Sequence, residues 1–571
     1  MAKTKMKCCF ILLTLPLISL AYLYYSRGFG QQLVKERETR SVNAKASSGG
    51  LVRNMTVYMK NGVWSLTAKE GIIDKKYGMA YGMYDESYMA TGWDVLNIKV
   101  GYALNGSHTD QELMYAAGYI EGYITAEKIN QHWENFYAVF LKDQSVYMAN
   151  KFKEFYKDQE QWVVDKVVAA DGKTPFWRHV SYALAQIDGL YKGHKAAMGK
   201  RALTRLQFMQ LNSYGDMDAA EKLAPPHDRL DYDKMSPEEF FEDIYGLNLG
   251  RCSVLIKPTP GFENLYIGHS TWFIYAAMLR MYKHYDFNLK DPSVANKQVS
   301  FSSYPGFITS LDDFYLMGGG LVMVQTTNNV FNTSLFDVVK PQSLLAWQRV
   351  LTANRMARDG EEWAKIFAKH NSGTYNAQYM VVDLNKFVPK KAIMDGALWV
   401  VEQIPGLVVS GDQTKILRNG HWASYNIAFY EKIYNMSGYP EIVAKFGYGY
   451  SHDLASRAKI FRRDNEKVTD MKSFKNIMRY NDYLHDPYSK DNAMQTICSR
   501  GDLTTQHAPI GCTDSKVTDF FMAKKLESHA INGPTTSHNL PVFAWKPFPH
   551  SVHVGQPKTF NFTWQTMKPK P

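Results

Sequence analysis

Cysteine is scarce in this chain, with five among 571 residues. Cys8 and Cys9 fall at the extreme N-terminus, so only Cys252, Cys498 and Cys512 occupy the body of the sequence. That spacing excludes zinc-finger architectures, whose ligands come in close pairs. A Walker loop and a dinucleotide fingerprint are also missing. Gly318-Gly319-Gly320 precedes an apolar stretch, whereas a phosphate loop places its glycines between a strand and a helix. No metal or cofactor is expected. Lys and Arg number 66 against 55 acidic residues, a formal charge of +11, yet no run of five basic residues occurs. Nucleic acid is therefore not an expected partner, and peripheral attraction to anionic membrane is the better use for charge beyond a solvated surface. No internal repeat or extended low-complexity segment is present. What the chain has is apolar bulk: 45% hydrophobic and 14% aromatic residues, enough to bury a large core.

The first residues set the compartment. Lys3, Lys5 and Lys7 precede an uncharged run from Cys8 to Ser26, with Ser19 and Ala21 as the small residues of a cleavage site after Ala21. Residues 1–21 read as a secretory signal peptide, and the length of the run also fits a signal anchor extending to about residue 26. Both readings send the rest of the chain into the secretory pathway, towards the lysosome or the outside of the cell. Five N-glycosylation sequons agree: Asn54, Asn105, Asn332, Asn435 and Asn561. In that oxidising route Cys498 and Cys512, which close a short loop, are natural disulfide partners. Cys252 is left as an odd, free thiol.

Its surroundings single it out. Ser236-Pro237-Glu238-Glu239 has capping-box spacing with Pro at the first helical position, and Gly246 supplies a stop. A loop from Leu247 to Arg251 then leads into a strand from Cys252 to Lys257, a turn at Pro258-Thr259-Pro260-Gly261, and a returning strand from Leu265 to His269. Symmetry about Pro260 and Gly261 pairs Cys252 with His269, at the roughly 5 Å between Cβ atoms of facing residues. Elsewhere Thr109-Asp110-Gln111-Glu112 opens a helical stretch through Val168, and the first half as a whole reads as largely helical. Leu223 to Ser236 reads as a linker. Thr271 is placed to cap an amphipathic helix through Tyr285, and helices from Gln342 to His370 alternate with strands at Tyr379 to Asp383 and Leu398 to Val409. Long helices mixed with short strands make the fold class α+β.

At these residues the chain resembles the phospholipase B-like proteins, whose members look like N-terminal-nucleophile (Ntn) hydrolases. The resemblance rests on Cys252-Ser253-Val254-Leu255-Ile256-Lys257 with Pro260-Gly261, and on Gly268-His269-Ser270-Thr271-Trp272. It continues through Asn371-Ser372-Gly373-Thr374-Tyr375-Asn376, Glu402-Gln403-Ile404-Pro405-Gly406, Trp422-Ala423-Ser424-Tyr425-Asn426, Ile460-Phe461-Arg462-Arg463 and Met478-Arg479-Tyr480-Asn481-Asp482. One departure is the insert-like stretch from Ser489 to Pro509. The resemblance implies a four-layer αββα sandwich, with 22–251 as a helix-rich N-terminal pro-segment and 252–571 as the catalytic chain. It implies cleavage of the Arg251–Cys252 bond by the chain itself, the two fragments remaining associated. The freed α-amino group, with an ordinary pKa of about 7.7–8.0, would then serve as base beside the thiol.

The same resemblance implies roles for the remaining site residues. His269 orients substrate or tunes the thiolate, and Trp272 lines the pocket. Thr326 contacts the nucleophile, although strand alternation leaves open whether it or Thr327 points inward. Asn426 offers an amide donor for an oxyanion hole, and Arg457 holds the charge network around the new amino terminus. The implied activity is deacylation of glycerophospholipids through a thioester, so a phospholipid or other acylated lipid is the expected substrate. An N-acyl amide hydrolase of the same mechanism and a non-catalytic lipid-binding or signalling protein are the alternatives.

Overall fold

A computed structural model describes residues 51–571, apart from 60–65, 105–107, 143–144, 222–228, 246–250 and the last residue. The predicted leader and Asn105 lie outside the described residues, as do most of the expected loop before Cys252 and part of the expected linker.

Two sheets stack face to face. The small sheet orders its six strands Trp422–Ser424, Arg251–Pro258, Leu265–Ile274, Ile510–Asp519, Ser528–Asn532 and Gln565–Met567. The large sheet has eleven strands, and its central members include Leu321–Thr327, Gln298–Ser303, Met281–Phe287 and Asp94–Val100. Val254, Ile256 and Ile267 of the small sheet meet Val322, Val324, Met380 and Val400 of the large one in a shared apolar layer. The opposite face of the large sheet is covered by helices Asp110–Ile124, Pro175–Met198, Ala346–Met356 and Gly360–Phe367. Helices Ser456–Asp464 and Met471–Met478 cover the outer face of the small sheet through Leu255, Tyr266 and Val517. The architecture is thus α+β in four layers, αββα.

Local signals placed several elements correctly. Thr109 and Glu112 exchange capping hydrogen bonds at the start of Asp110–Ile124, and Ser236 and Glu239 do so before Pro237–Tyr245. Gly318–Gly320 turns between two antiparallel strands. Close approach needs glycine where Asp110–Ile124 crosses Pro175–Met198. A Cβ on Gly118, Gly122, Gly189 or Gly193 would stand 1.9–2.0 Å from a carbonyl oxygen of the opposing helix.

The first half is largely helical, as expected, and Leu51–Met59, Leu66–Glu70, Ala80–Glu86 and Asp94–Val100 add four strands to the large sheet. Two expectations require correction. The expected helix from Thr271 to Tyr285 is instead the end of strand Leu265–Ile274, a 3-10 turn at Tyr275–Ala277 and strand Met281–Phe287. Leu265–Ile274 is buried at every position, so it carries no alternating pattern, and its β-branched and aromatic content was the better signal. Finally, the hairpin register differs. The turn runs from Thr259 to Asn264, closed by the Thr259 N–H on the Asn264 carbonyl at 2.9 Å, with Gly261 and Phe262 at φ 66° and 55°. Its centre falls one residue later than expected, so Cys252 faces Thr271 and His269 faces Val254. A two-residue shift of partner preserves the face, and His269 remains the diagonal neighbour of Cys252.

The segments on either side of Cys252 share one core. Strand Asp94–Val100 runs parallel to Met281–Phe287 in the middle of the large sheet. Above it, Lys283 Nζ donates to Glu121 Oε1 at 2.7 Å, with both side chains fully buried. Removing one partner of such a pair leaves an uncompensated charge. Lys283→Met is therefore expected to cost about 3–5 kcal/mol in denaturant unfolding, and Glu121→Gln in the same chain should recover most of that loss. A single substitution without effect would show that the pair is not what joins the segments.

Candidate active site

Cys252 is the second residue of strand Arg251–Pro258, is 4% exposed and is the free cysteine among the described residues. Its main chain is held from both ends. The N–H donates to Asn426 Oδ1 at 3.1 Å, and its carbonyl accepts from Arg457 Nη1 at 2.6 Å. Both groups therefore point towards the edge strand Trp422–Ser424, away from Leu265–Ile274. The pair Cys252–Thr271 is consequently of the non-hydrogen-bonded kind, in which facing side chains come closest. Cys252 projects, like Val254, between the sheets.

Asn426 reaches this position through a left-handed backbone, φ 69°, which asparagine tolerates better than most residues. Its Nδ2 donates to the Thr327 carbonyl at 2.7 Å. Glu402 anchors the following residues, accepting from the N–H groups of Phe429 at 2.8 Å and Tyr430 at 3.0 Å. With its amide hydrogens turned to Thr327, Asn426 presents an acceptor to Cys252, not the expected oxyanion donor.

Arg457 enters from the outer helix Ser456–Asp464. Beyond Cys252 it donates to the Tyr425 carbonyl at 2.7 Å and to Ser253 Oγ at 3.3 Å. Its guanidinium stacks 4.3 Å over the Trp272 ring, while the Trp272 indole N–H donates to the Ile497 carbonyl at 3.0 Å. Trp272 thus lies on the opposite face of its strand from Thr271. It supports Arg457 from behind and does not line a pocket in front of the thiol.

His269 is also placed differently from its expected role. Nε2 lies 2.9 Å from the Gln325 carbonyl, which fixes the proton on that nitrogen, and Nδ1 faces the Thr271 hydroxyl at 3.3 Å. Burial, followed by the charge of Lys516, holds its pKa well below the usual histidine value. The ring is a neutral tie between the sheets. Thr326 is the inward member of its pair, its hydroxyl 2.6 Å from that of Ser424 on the small sheet, while Thr327 contributes its carbonyl.

The residues that composition and motif did not reveal form a buried charge cluster beside Thr271. Lys516 pairs with Asp312 at 2.5 Å and Asp514 at 2.6 Å. Arg280 pairs with the same carboxylates at 2.8 and 3.2 Å. The Thr271 hydroxyl lies 3.0 Å from Asp312 and 3.1 Å from Asp514 and accepts from Lys516. Burial alone would raise Asp312, but Arg280 and Lys516 hold it below the usual carboxylate range. The available signal was Asp514 and Lys516 at alternate positions of an otherwise buried strand, Ile510–Asp519, where unpaired charges cannot persist. Burial pushes the Cys252 thiol up to about 12, against the opposing effect of Lys516. In the intact chain Cys252 is therefore a protonated thiol.

A family model described as Phospholipase B matches residues 80–567. The chain belongs to the phospholipase B family. Among its relatives, Phospholipase B-like 1 of Bos taurus is 48% identical over 522 residues, covering 90% of this chain and 93% of its own. Phospholipase B of Crotalus adamanteus is 46% identical over 530 residues, covering 92% of this chain and 94% of its own. A solved structure, the C2A mutant of conjugated bile acid hydrolase from Clostridium perfringens, aligns with a TM-score of 0.30 at 10% identity, covering 55% of this chain and 97% of that one. In this phospholipase B family member Cys498 and Cys512 are disulfide-bonded. Asn332, Asn435 and Asn561 are exposed, and Asn54 is half-buried in a strand. Among the described residues, no helix is long and apolar enough to cross a membrane.

The buried thiol gives a direct test. In a chain whose 251–252 bond is intact, iodoacetamide labelling of Cys252 should be very slow at pH 7, where a pKa of about 12 leaves a thiolate fraction of about 10⁻⁵. Labelling should rise with pH and become fast at neutral pH once the 251–252 bond is cut. Equal rates before and after cleavage would contradict a thiol masked in the intact chain.

Proposed function

We propose that the protein is a phospholipase B-like hydrolase that deacylates glycerophospholipids with Cys252 as an N-terminal nucleophile. The observation that carries this reading is the grip on Cys252. A lone thiol stands at the second position of a buried strand, with an acceptor fixed on its nitrogen and a cation fixed on its carbonyl.

Maturation begins when the Cys252 sulfur attacks the Arg251 carbonyl carbon. A C–S bond forms, the C–N bond breaks, and the thiol proton passes to the departing nitrogen. Water then opens the thioester, releasing a carboxylate on Arg251 and a free thiol. Arg251 lies opposite Trp272 in the strand ladder, and alternation makes theirs the hydrogen-bonded pair, so the Trp272 N–H is the donor for that carbonyl.

In turnover the new α-amine, held through one hydrogen by Asn426 Oδ1, takes the thiol proton. The sulfur attacks the ester carbonyl, the ammonium returns the proton to the departing alcohol, and water releases the fatty acid from the thioester. Chain segments before and after Cys252 share a sheet and the Glu121–Lys283 pair, which supports association of the fragments after cleavage. The leader, the exposed sequons and the 498–512 bridge support a secretory route ending in the lysosome or outside the cell. The basic surface supports peripheral contact with anionic membrane at the substrate interface.

Under denaturing conditions mature protein should yield a C-terminal fragment starting at Cys252, roughly 37 kDa of the 65.3 kDa chain before glycans. Purified processed protein should release fatty acid from phosphatidylcholine vesicles. Cys252→Ala should abolish both events, and Cys252→Ser should slow them by orders of magnitude. Vesicle binding without release would favour the non-catalytic alternative, and release from N-acyl amides but not esters would favour the amide hydrolase.

Arg457 supplies a pH test. Burial and a nearby cation both disfavour an ammonium, so the α-amine should titrate below its ordinary value of about 7.7–8.0. Activity that needs the neutral amine is lost as pH falls through that lowered pKa. Arg457→Gln should therefore move the acidic limb of the kcat/KM profile to higher pH, in protein that has matured. An unmoved limb would remove Arg457 from this role.

A further inference from the structure

The small sheet carries a second polar site, behind the strand that bears Thr271 and away from the space between the sheets. A groove of about 620 Å3 opens there, between helix Met471–Met478 and the segment from Ile531 to His538, with Trp564 at its side. That volume is typical of sites for small organic ligands. Arg479 lines it and is only 9% exposed. Among the described residues its guanidinium makes no hydrogen bond or ion pair, and Nη1 is shielded from solvent without any partner. Its backbone is fixed, the Arg479 carbonyl accepting from Thr535 Oγ1 at 2.7 Å. A buried guanidinium with its donors unused is costly, since buried charges in folded proteins are almost always paired.

The rest of the lining has the same sign. Lys475 reaches into the groove over the Trp564 ring, 4.9 Å from its centroid, and makes no ion pair among the described residues. Lys467 is paired with Asp464 at 2.7 Å, and Asp464 is the groove's carboxylate. Thr536, Ser537 and His538 add hydroxyl and imidazole groups at the mouth. Three cations thus face one already engaged carboxylate.

We propose that this groove binds a phosphate-bearing small molecule, with Arg479 and Lys475 holding the phosphate. A guanidinium fork matches phosphate oxygens in a bidentate manner, and a lysine adds a point charge. The space left over, flanked by Trp564 and Tyr480, suits an organic portion beyond the anion. Free inorganic phosphate and a phospholipid head group share this chemistry. The site is distinct from the nucleophile: Cys252 projects between the sheets, whereas the groove lies on the outer face. The two are linked through Asp514, whose charge acts on Arg479, and through Ser270 Oγ, which donates to the Met478 carbonyl at 2.6 Å.

The test uses full processed protein with Cys252 alkylated, titrated calorimetrically with inorganic phosphate and, separately, with glycerophosphocholine. Saturable binding of at least one probe is expected, weakening as salt is added. Arg479→Gln should weaken it roughly tenfold or more and Lys475→Gln several-fold, as expected for lost charge-assisted hydrogen bonds. Tighter binding of glycerophosphocholine than of phosphate assigns a head-group site, and the reverse order a site for the free ion. Should Arg479→Gln not fold, Lys475→Gln and the mouth variant His538→Ala carry the measurement. No binding of either probe by the unsubstituted chain, or binding unchanged in the folded variants, overturns the proposal. Fatty acid release is assayed apart on unalkylated protein, so failure of the hydrolase reading leaves this result standing.

Discussion

Two hydrogen bonds to the main chain of Cys252 are the constraint on which the rest of the site depends. In the proposed mechanism the Cys252 nitrogen acts as base, and it would have to be positioned by the backbone, because that nitrogen has no side-chain torsion with which to adjust. Asn426 and Arg457 do this from opposite ends of the residue, and each is itself over-determined. Asn426 sits in a left-handed conformation whose downstream loop is pinned by Glu402. Arg457 is sandwiched between helix Ser456–Asp464 and the Trp272 ring, with carbonyls of Cys252 and Tyr425 as acceptors.

The interior around the thiol is polar and paired, which is expensive to build. Arg280 and Lys516 against Asp312 and Asp514 form a balanced set, and breaking such a set costs more than its net attraction suggests. Thr271 stands between this set and Cys252. The charges of Lys516, Asp312 and Asp514 all act on the Cys252 thiol, with burial the largest effect. His269, neutral and bonded to the Gln325 carbonyl, fixes the spacing of the two sheets at the same level.

The same sharing of elements explains why the N-terminal segment cannot be regarded as a detachable appendage. Its strand Asp94–Val100 lies beside Met281–Phe287 within the large sheet, and its helix Asp110–Ile124 delivers Glu121 to Lys283. Neither pairing runs through the Arg251–Cys252 bond.

Sequence alone determined the features whose signals are local. Capping boxes at Thr109 and Ser236, the strand beginning at Cys252, the odd thiol and the 498–512 bridge could all be read from neighbouring residues, and ordered motif blocks carried the family and the αββα class. Features that depend on contacts between distant segments were decided by tertiary structure. The register of the 252–274 hairpin turned on the conformation of Phe262, and a strand buried on both faces hid its period. Whether Asn426 donates or accepts at Cys252 depended on the Thr327 carbonyl, 99 residues away in sequence. The charge cluster joins residues 271, 280, 312, 514 and 516, which no spacing rule connects, because burial and pairing of charge are properties of the packed interior.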